Sequence, residues 1–388
     1  MSDVNQKLVI STAVLAAGFT ALLGYTLLRT AEPVPALSCP EVPAVTVQTP
    51  VAPATPAAAP AKVTKENLNL WTENAPARTA LLAYVKEATN PDSPGYIPPE
   101  DRIAVFDLDG TLFCETDPNY FDYTLLLHRV TEDPSYKDRA SEFEREVAGK
   151  IREQNETGKS FKELPVDHGK AVASAFAGMT LDEFDSYVQE FKKLPMPSYE
   201  NMVRGGGFYR PMLQVVNLLK ENGFTVYIVS GTDRLIVRGL LHNSELKIPN
   251  NRIIGSDETL VATGQGTTDG LDYSMTKEDR LVLGGTFIIK NLKMNKVSVI
   301  MQEIGQKPVL AFGNSSGDVS MAQFVTTGNK YPAMAFLLAA DDLERENGSM
   351  KKADQMNEFC GKFSWTCISM KNDWKTIYGE GVTRKKKE

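Results

Sequence analysis

A short apolar run that ends in two carboxylates one residue apart constrains this chain more than any other feature. Ile103 to Phe106 is apolar and runs directly into Asp107-Leu108-Asp109-Gly110-Thr111. A run of that length closed by a glycine turn reads as a buried strand that hands over to a polar loop. Thr225 to Val229 has the same form and ends in Ser230-Gly231-Thr232. So does Pro308 to Phe312, which ends in Gly313-Asn314-Ser315-Ser316-Gly317-Asp318. With Ala333 to Leu338 as a fourth run, the expected fold class is α/β, a doubly wound parallel sheet. Its strands lie near Ile103 to Asp107, Val226 to Ser230, Val309 to Gly313 and Ala333 to Leu338.

The loop ends carry the chemistry. Asp107 and Asp109 can point one carboxylate at a bound phosphate while the other reaches the reacting atom from the side. Gly110 and Thr111 open the backbone to an anion. Taken alone, the same residues also suit an ordinary strand that ends in a polar turn. Ser230 and Gly231 offer a hydroxyl and an N–H to phosphate oxygens. Lys296 opens an apolar-periodic segment, Val297 to Ile304, which reads as a helix closed by Gly305 and offers a point charge. Asn314 to Asp318 supplies oxygen ligands suited to a hard cation.

In this order the four pieces resemble the haloacid dehalogenase superfamily of phosphohydrolases over roughly residues 100 to 380. The chain is most similar to the phosphoserine phosphatase-like branch, whose exported bacterial members end in a segment like Asp373-Trp374-Lys375. The resemblance implies a Rossmann-like core with Asp107 as nucleophile, an aspartyl-phosphate intermediate, and Asp109 as general acid and base. Thr111, Ser230, Gly231 and Lys296 would bind the phosphoryl group. Mg²⁺ would be held by Asp107, the Asp109 carbonyl, Asn314 and Asp318. Many relatives carry Asp where this chain has Asn314, so Asp318 is expected to supply the acid of that loop, directly or through a water. The implied activity is Mg²⁺-dependent hydrolysis of a small phosphomonoester, phosphoserine-like or phosphorylcholine-like. The reading from a different class is a catalytically idle, membrane-tethered scaffold that keeps the fold for binding.

More than a βα crossover separates Thr111 from Ser230, and the surplus reads as an inserted helical cap at about 115–207. Ser141 to Arg152 places Phe143, Val147 and Ile151 on one helical face, and Thr180 to Glu183 is a capping box ahead of Phe184, Val188 and Phe191. Pro195 to Pro197 ends that helix, Gly205 to Gly207 reads as a return hinge, and Arg210 to Asn222 resumes the core as a helix. Glu115 to Tyr123 brings acids and aromatics close to the catalytic strand. The acids there suit a substrate ammonium, as a glutamate does in phosphoserine phosphatases, although Glu115 is about one residue out of register. Tyr120, Phe121 and Tyr123 suit a quaternary ammonium through cation-π attraction, or simply pack the cap. Asn251 to Ile289 is expected to add a β-hairpin beside the site.

Leu8 to Leu28 carries no charge and lies between Lys7 and Arg29. As a helix it would be about 30 Å long, enough to span a bilayer. Its length favours an uncleaved transmembrane anchor (residues 1–29) over a signal sequence followed by secretion. Residues 30–61, rich in Pro and Ala, read as an extended linker, and 62–388 as the catalytic domain, with an extracytoplasmic location expected. A net charge of −7 and the lack of a basic-aromatic stripe argue against nucleic acid as a partner. Arg384 to Lys387 reads as a solvated tail or a membrane-surface contact. The spacing of Cys360 and Cys367 permits a disulfide, and the dispersed His128, His168 and His242 suggest no zinc site.

Overall fold

The computed structural model describes residues 68–385. Strand β1 (Ile103–Phe106) is buried at every residue and lies at the centre of the sheet. β3 (Thr225–Asp233) pairs with it in parallel on one side and β6 (Leu310–Gly313) on the other. β4 (Ile253–Ala262), β7 (Met334–Ala339) and β8 (Thr366–Ser369) extend the parallel sheet, and β5 (Leu281–Ile289) closes one edge antiparallel to β4. The order is β5-β4-β3-β1-β6-β7-β8. This is the doubly wound arrangement expected, and the hairpin is the β4–β5 pair.

The centre of the sheet is fixed by an aromatic ladder. Phe106, Phe312 and Phe336 sit in register on β1, β6 and β7. Their rings stack at 4.2 and 4.9 Å with interplanar angles of 3° and 9°. Phe106 precedes Asp107, and Phe312 precedes the Gly313–Asn314 turn, so packing in the core sets the position of both functional loops. Removing one such ring costs about 3–5 kcal/mol in comparable cores.

Helix α1 (Pro76–Thr89) precedes the sheet. Between β1 and β3 lie α2 (Phe121–Thr131), α3 (Glu142–Thr157), α4 (Leu164–Ala175) and α5 (Leu181–Lys192), then the short strand β2 (Tyr199–Glu200) and helix α6 (Arg210–Glu221). Ser141 and Thr180 each close a capping box, with Glu144 and Glu183. Val147 and Ile151 are buried, but Phe143, in the first turn of α3, is 38% exposed. The return segment is a packed strip and not a free hinge. Cys114 N–H donates to Gly207 O (2.8 Å) and Tyr209 N–H to Leu112 O (3.0 Å). A Cβ at Gly207 would stand 3.1 Å from both Phe113 and Cys114, tighter than ordinary contact.

After β3 come α7 (Arg234–Leu241), α8 (Met294–Glu303), α9 (Val319–Thr326) and α10 (Met350–Phe363), followed by the two-residue strand β9 (Thr383–Arg384). Lys296 is the third residue of α8, inside the helix and not ahead of it. The first described residues are clasped to the last: Thr72 N–H donates to Asp373 O and Lys375 N–H to Leu70 O, both at 2.8 Å, while Trp71 packs edge-on against Trp374. β9 pairs with β2, and Arg384 Nε donates to Asn347 Oδ1 at 2.8 Å. Arg384 is therefore part of a strap across the base of the cap and not a solvated tail. Cys360 and Cys367 form a disulfide between α10 and β8. The apolar run 8–28, the linker 30–61 and Lys386-Lys387 lie outside the described residues. Among the described residues no helix is long and apolar enough to cross a membrane.

Candidate active site

β1 delivers Asp107 to the end of the sheet, where its N–H donates to Phe312 O at 2.9 Å. The chain then turns back on itself, with Leu108 O accepting from the N–H groups of Thr111, Leu112 and Phe113. Gly110 adopts φ 79° in this turn, and a Cβ there would fall 1.9 Å from the Asn314 amide. Only glycine lets the two loops meet so closely.

Lys296 reaches the same point from α8. Its fully buried Nζ donates to Asp107 Oδ1 at 2.6 Å and to Asp318 Oδ1 at 2.7 Å. Burial pulls the ammonium down, but the two carboxylates outweigh it and hold its pKa above the usual lysine value. Burial and then the Asp318 charge push Asp107 upward, and Lys296 restrains that rise. Asp318 Oδ2 accepts from the N–H groups of Asn314 and Ser315 and from the Ser315 hydroxyl, at 3.0–3.1 Å. Both Asp318 oxygens are thus engaged by protein donors. The sequence expects Asp318 to supply the acid of the metal loop, directly or through a water; in the fold it also shapes the loop and orients Lys296.

Asp109 stands across the cavity. Its Oδ2 accepts from the Thr232 hydroxyl at 2.8 Å, and its buried Oδ1 has no partner. Burial, then the charges of Asp122 and Asp107, raise its pKa well above the carboxylate range, with Thr232 pulling the other way. A carboxyl kept protonated in this manner can give a proton away.

The oxygens fit a hard cation. The Asn314 amide lies 3.0 Å from the Asp109 carbonyl oxygen and 3.2 Å from Asp107 Oδ2. Turned one way, the amide NH₂ donates to both acceptors. Turned the other way, its oxygen joins the Asp109 carbonyl and Asp107 Oδ2 as a set of three oxygens suited to a hard cation. Among the described residues no group of three His, Cys, Asp or Glu side chains forms a metal site. The set here is instead one carboxylate, one main-chain carbonyl and one amide.

A profile of the haloacid dehalogenase-like hydrolase family matches residues 104–323, more than half of the chain. The chain belongs to this family. The hydrolase also resembles solved structures at low identity. A protein of Anaerococcus prevotii described as conserved and functionally unknown is 15% identical, with 76% of this chain and 91% of that one covered and a TM-score of 0.46. Cytosolic 5'-nucleotidase IIIB bound to cytidine is 13% identical, with 72% and 84% covered and a TM-score of 0.43. A phosphoserine phosphohydrolase-like protein of Francisella tularensis is 14% identical, with 69% and 94% covered and a TM-score of 0.35. No curated protein matches the chain.

The hydrolase encloses a cavity of about 100 Å³ that Asp107, Asp109, Gly231, Asn314 and Asp318 line together. Thr111 and Ser230 are fully buried behind its wall. Thr111 Oγ1 donates to Asp107 Oδ2 (3.3 Å), and Ser230 Oγ accepts from Thr232 N–H (3.1 Å). The cap side contributes Glu115, Tyr120, Asp122, Tyr123 and Pro165. Phe121 packs into the core against Phe113 and Phe191 and does not line the cavity. Thr232, Lys290 and Leu292 line it without having been singled out as site residues. Thr232 had a legible signal, a second hydroxyl two residues after Ser230 on the same strand end. Lys290 and Leu292 follow a β5 edge strand whose sequence carries no chemistry of its own.

Proposed function

We propose that this hydrolase is a Mg²⁺-dependent phosphomonoesterase that works through an aspartyl-phosphate on Asp107. The observation that carries this reading is the division of labour around one small cavity. One carboxylate, Asp107, is oriented by a buried lysine, and a second, Asp109, stands two residues away with its pKa pushed up by burial and by the Asp122 and Asp107 charges. The Asp107 carboxylate attacks phosphorus and the ester bond breaks, with the leaving oxygen taking the Asp109 proton. Asp109, now a carboxylate, accepts a proton from water as that water attacks the phosphoryl group. Phosphate leaves and Asp107 is free again. Lys296 and the N–H groups near Gly231 offset the charge on the equatorial oxygens. Mg²⁺, held by Asp107 Oδ2, the Asp109 carbonyl and Asn314, would supply further neutralisation when bound.

The cavity volume favours a compact metabolite, phosphoserine-like or phosphorylcholine-like, over a nucleotide. Residues 8–28 tether the domain to a membrane in this reading, with 30–61 as spacer. The Cys360–Cys367 disulfide supports an extracytoplasmic position, because such bonds persist in oxidising compartments. The test is phosphate release by full-length protein in detergent from phosphorylated amino acids, phosphorylcholine, sugar phosphates and nucleotides, with and without Mg²⁺. Mg²⁺-dependent turnover of the compact esters is expected. No release from any ester would leave the scaffold reading in its place.

A further inference from the structure

The chain passes between core and cap twice, outward through residues 114–119 and back through 195–208. The cap can leave the cavity only by bending at these two passages. They are tied to each other, because Ser198 N–H donates to Asp117 Oδ1 at 2.5 Å. The C-terminal strap, residues 379–385, then binds the return passage. Lys385 N–H donates to Ser198 O at 2.9 Å, Asn201 Nδ2 to Gly381 O at 2.9 Å, and the Thr383 hydroxyl to Glu200 Oε2 at 3.2 Å. Asn347, in the loop between β7 and α10, gathers both passages and the strap. Its Nδ2 donates to Thr116 O at 2.7 Å and to the Tyr199 hydroxyl at 3.4 Å, and its main-chain oxygen accepts from the Thr116 hydroxyl at 3.0 Å. Its Oδ1 accepts from Arg384 Nε. Beside it, the buried Glu346 accepts from the Tyr378 hydroxyl at the root of the strap. The other Glu346 oxygen stands 3.5 Å from the Thr116 hydroxyl and 3.6 Å from Cys114 Sγ.

The strap itself is lightly held. None of residues 379–385 is buried, and its pairing with β2 is two residues long. Gly379 and Gly381 take φ values of 98° and 81°, which glycine reaches without strain. A segment with so short a ladder and so little buried surface opens well before the sheet does. When it opens, Ser198 O loses Lys385, Asn201 loses Gly381, and Asn347 loses Arg384, so the return passage and the loop that holds the outward one are loosened together. We propose that residues 379–385 are a latch that keeps the cap down on the cavity, with Glu346 and Asn347 as positioning residues, and that its release lets the cap lift. Cys114 reports the state of the latch. Its thiol is 2% exposed, lies on the outward passage against Glu346, and is the one free cysteine among the described residues.

The test compares the full-length protein in detergent with Arg384→Ala and with a chain ended at Tyr378. Each is treated with N-ethylmaleimide in native buffer, and modification of the peptide containing Cys114 is followed by mass spectrometry beside the melting temperature. The shortened chain should label Cys114 about tenfold faster than the wild type, and Arg384→Ala about threefold faster, with melting temperatures close to that of the wild type. Hydrolysis of an aryl phosphate with Mg²⁺ is the second readout, and this arm alone rests on the phosphatase reading. In the shortened chain KM should rise about three- to tenfold with kcat within about twofold, because the closed form that binds the ester is less populated. Equal labelling rates in all three proteins would overturn the latch. So would faster labelling that only follows a lower melting temperature, or a fall in kcat as large as the fall in kcat/KM. If the shortened chain does not fold, Arg384→Ala decides by the same labelling. No turnover by any of the three brings down the phosphatase reading, and labelling still decides the latch.

Discussion

The surroundings of the nucleophile and the far wall of the cavity treat their acids in opposite ways. Around the nucleophile the acids are paired: Lys296 bridges Asp107 and Asp318, Thr111 donates to the second Asp107 oxygen, and the loop N–H groups fill the second Asp318 oxygen. Across the cavity, Asp109 Oδ1 at the end of the sheet and Asp122 Oδ1 on the cap are buried without a partner. A paired acid is held in place before substrate arrives, whereas an unpaired one becomes satisfied only by what binds. The contrast separates acids held fixed around the nucleophile from acids left open to what binds. Glu258 is a useful control, since it is buried, has both oxygens unpartnered, and does not line the cavity.

The largest expected effect is at the nucleophile. Asp107→Asn keeps the shape but removes the attacking charge, so turnover should fall by several orders of magnitude in a protein whose circular dichroism is unchanged. Asp109→Asn should come next, and its deficit should widen as the leaving alcohol becomes a poorer leaving group, because the proton donor matters most there. A deficit equal for aryl and alkyl phosphates would remove Asp109 from that role.

Smaller effects separate the metal ligand from the loop-builder. Asn314→Asp adds a charge next to Asp107 Oδ2 and should lower the Mg²⁺ concentration needed for half-maximal rate. Asp318→Asn should lower the melting temperature and kcat while leaving that Mg²⁺ concentration nearly unchanged, since Asp318 holds Lys296 and the loop. If Asp318→Asn instead raises the Mg²⁺ requirement more than any other change, the placement of the cation is wrong.

Glu258 should matter least for turnover and most for pH-dependent stability. Burial, then the Asp233 and Asp257 charges, raise its pKa to about 9. The unfolded chain gives up that proton near pH 4.5 and the folded one holds it, so stability declines as pH rises from about 4.5 to about 9. Glu258→Gln cannot ionise. Its melting temperature should therefore gain on the wild type steadily across that window and run parallel to it below. Parallel curves throughout would show that Glu258 is ionised in the fold.

The sheet side was legible in the sequence because its chemistry is local. Asp107, Asp109, Ser230 and Asn314 each come after an apolar run that announces a strand, and these runs meet in a parallel sheet. The pairing of Asp318 with Lys296 was not legible, because only the path of α8 brings that lysine to the loop. The cap side was legible as helices, but the approach of His168 to Asp122 was not. α4, which brings His168 to Asp122, has an apolar pattern like any packed helix, and a missing hydrogen bond leaves no trace in a sequence. Arg384 read as part of a tail because its partners on β2 and in the 343–347 loop lie far away in the chain.

The most direct test of the account is to look for the phosphoryl group on the enzyme. Full-length Asp109→Asn protein, in which the second step lacks its base, would be mixed with Mg²⁺ and an aryl phosphate, quenched in acid, digested and examined by mass spectrometry. The account predicts a phosphoryl adduct on the peptide containing Asp107, confined to that residue and absent from Asp107→Asn. Turnover by the wild type with no adduct at Asp107, together with persisting activity in Asp107→Asn, would contradict it.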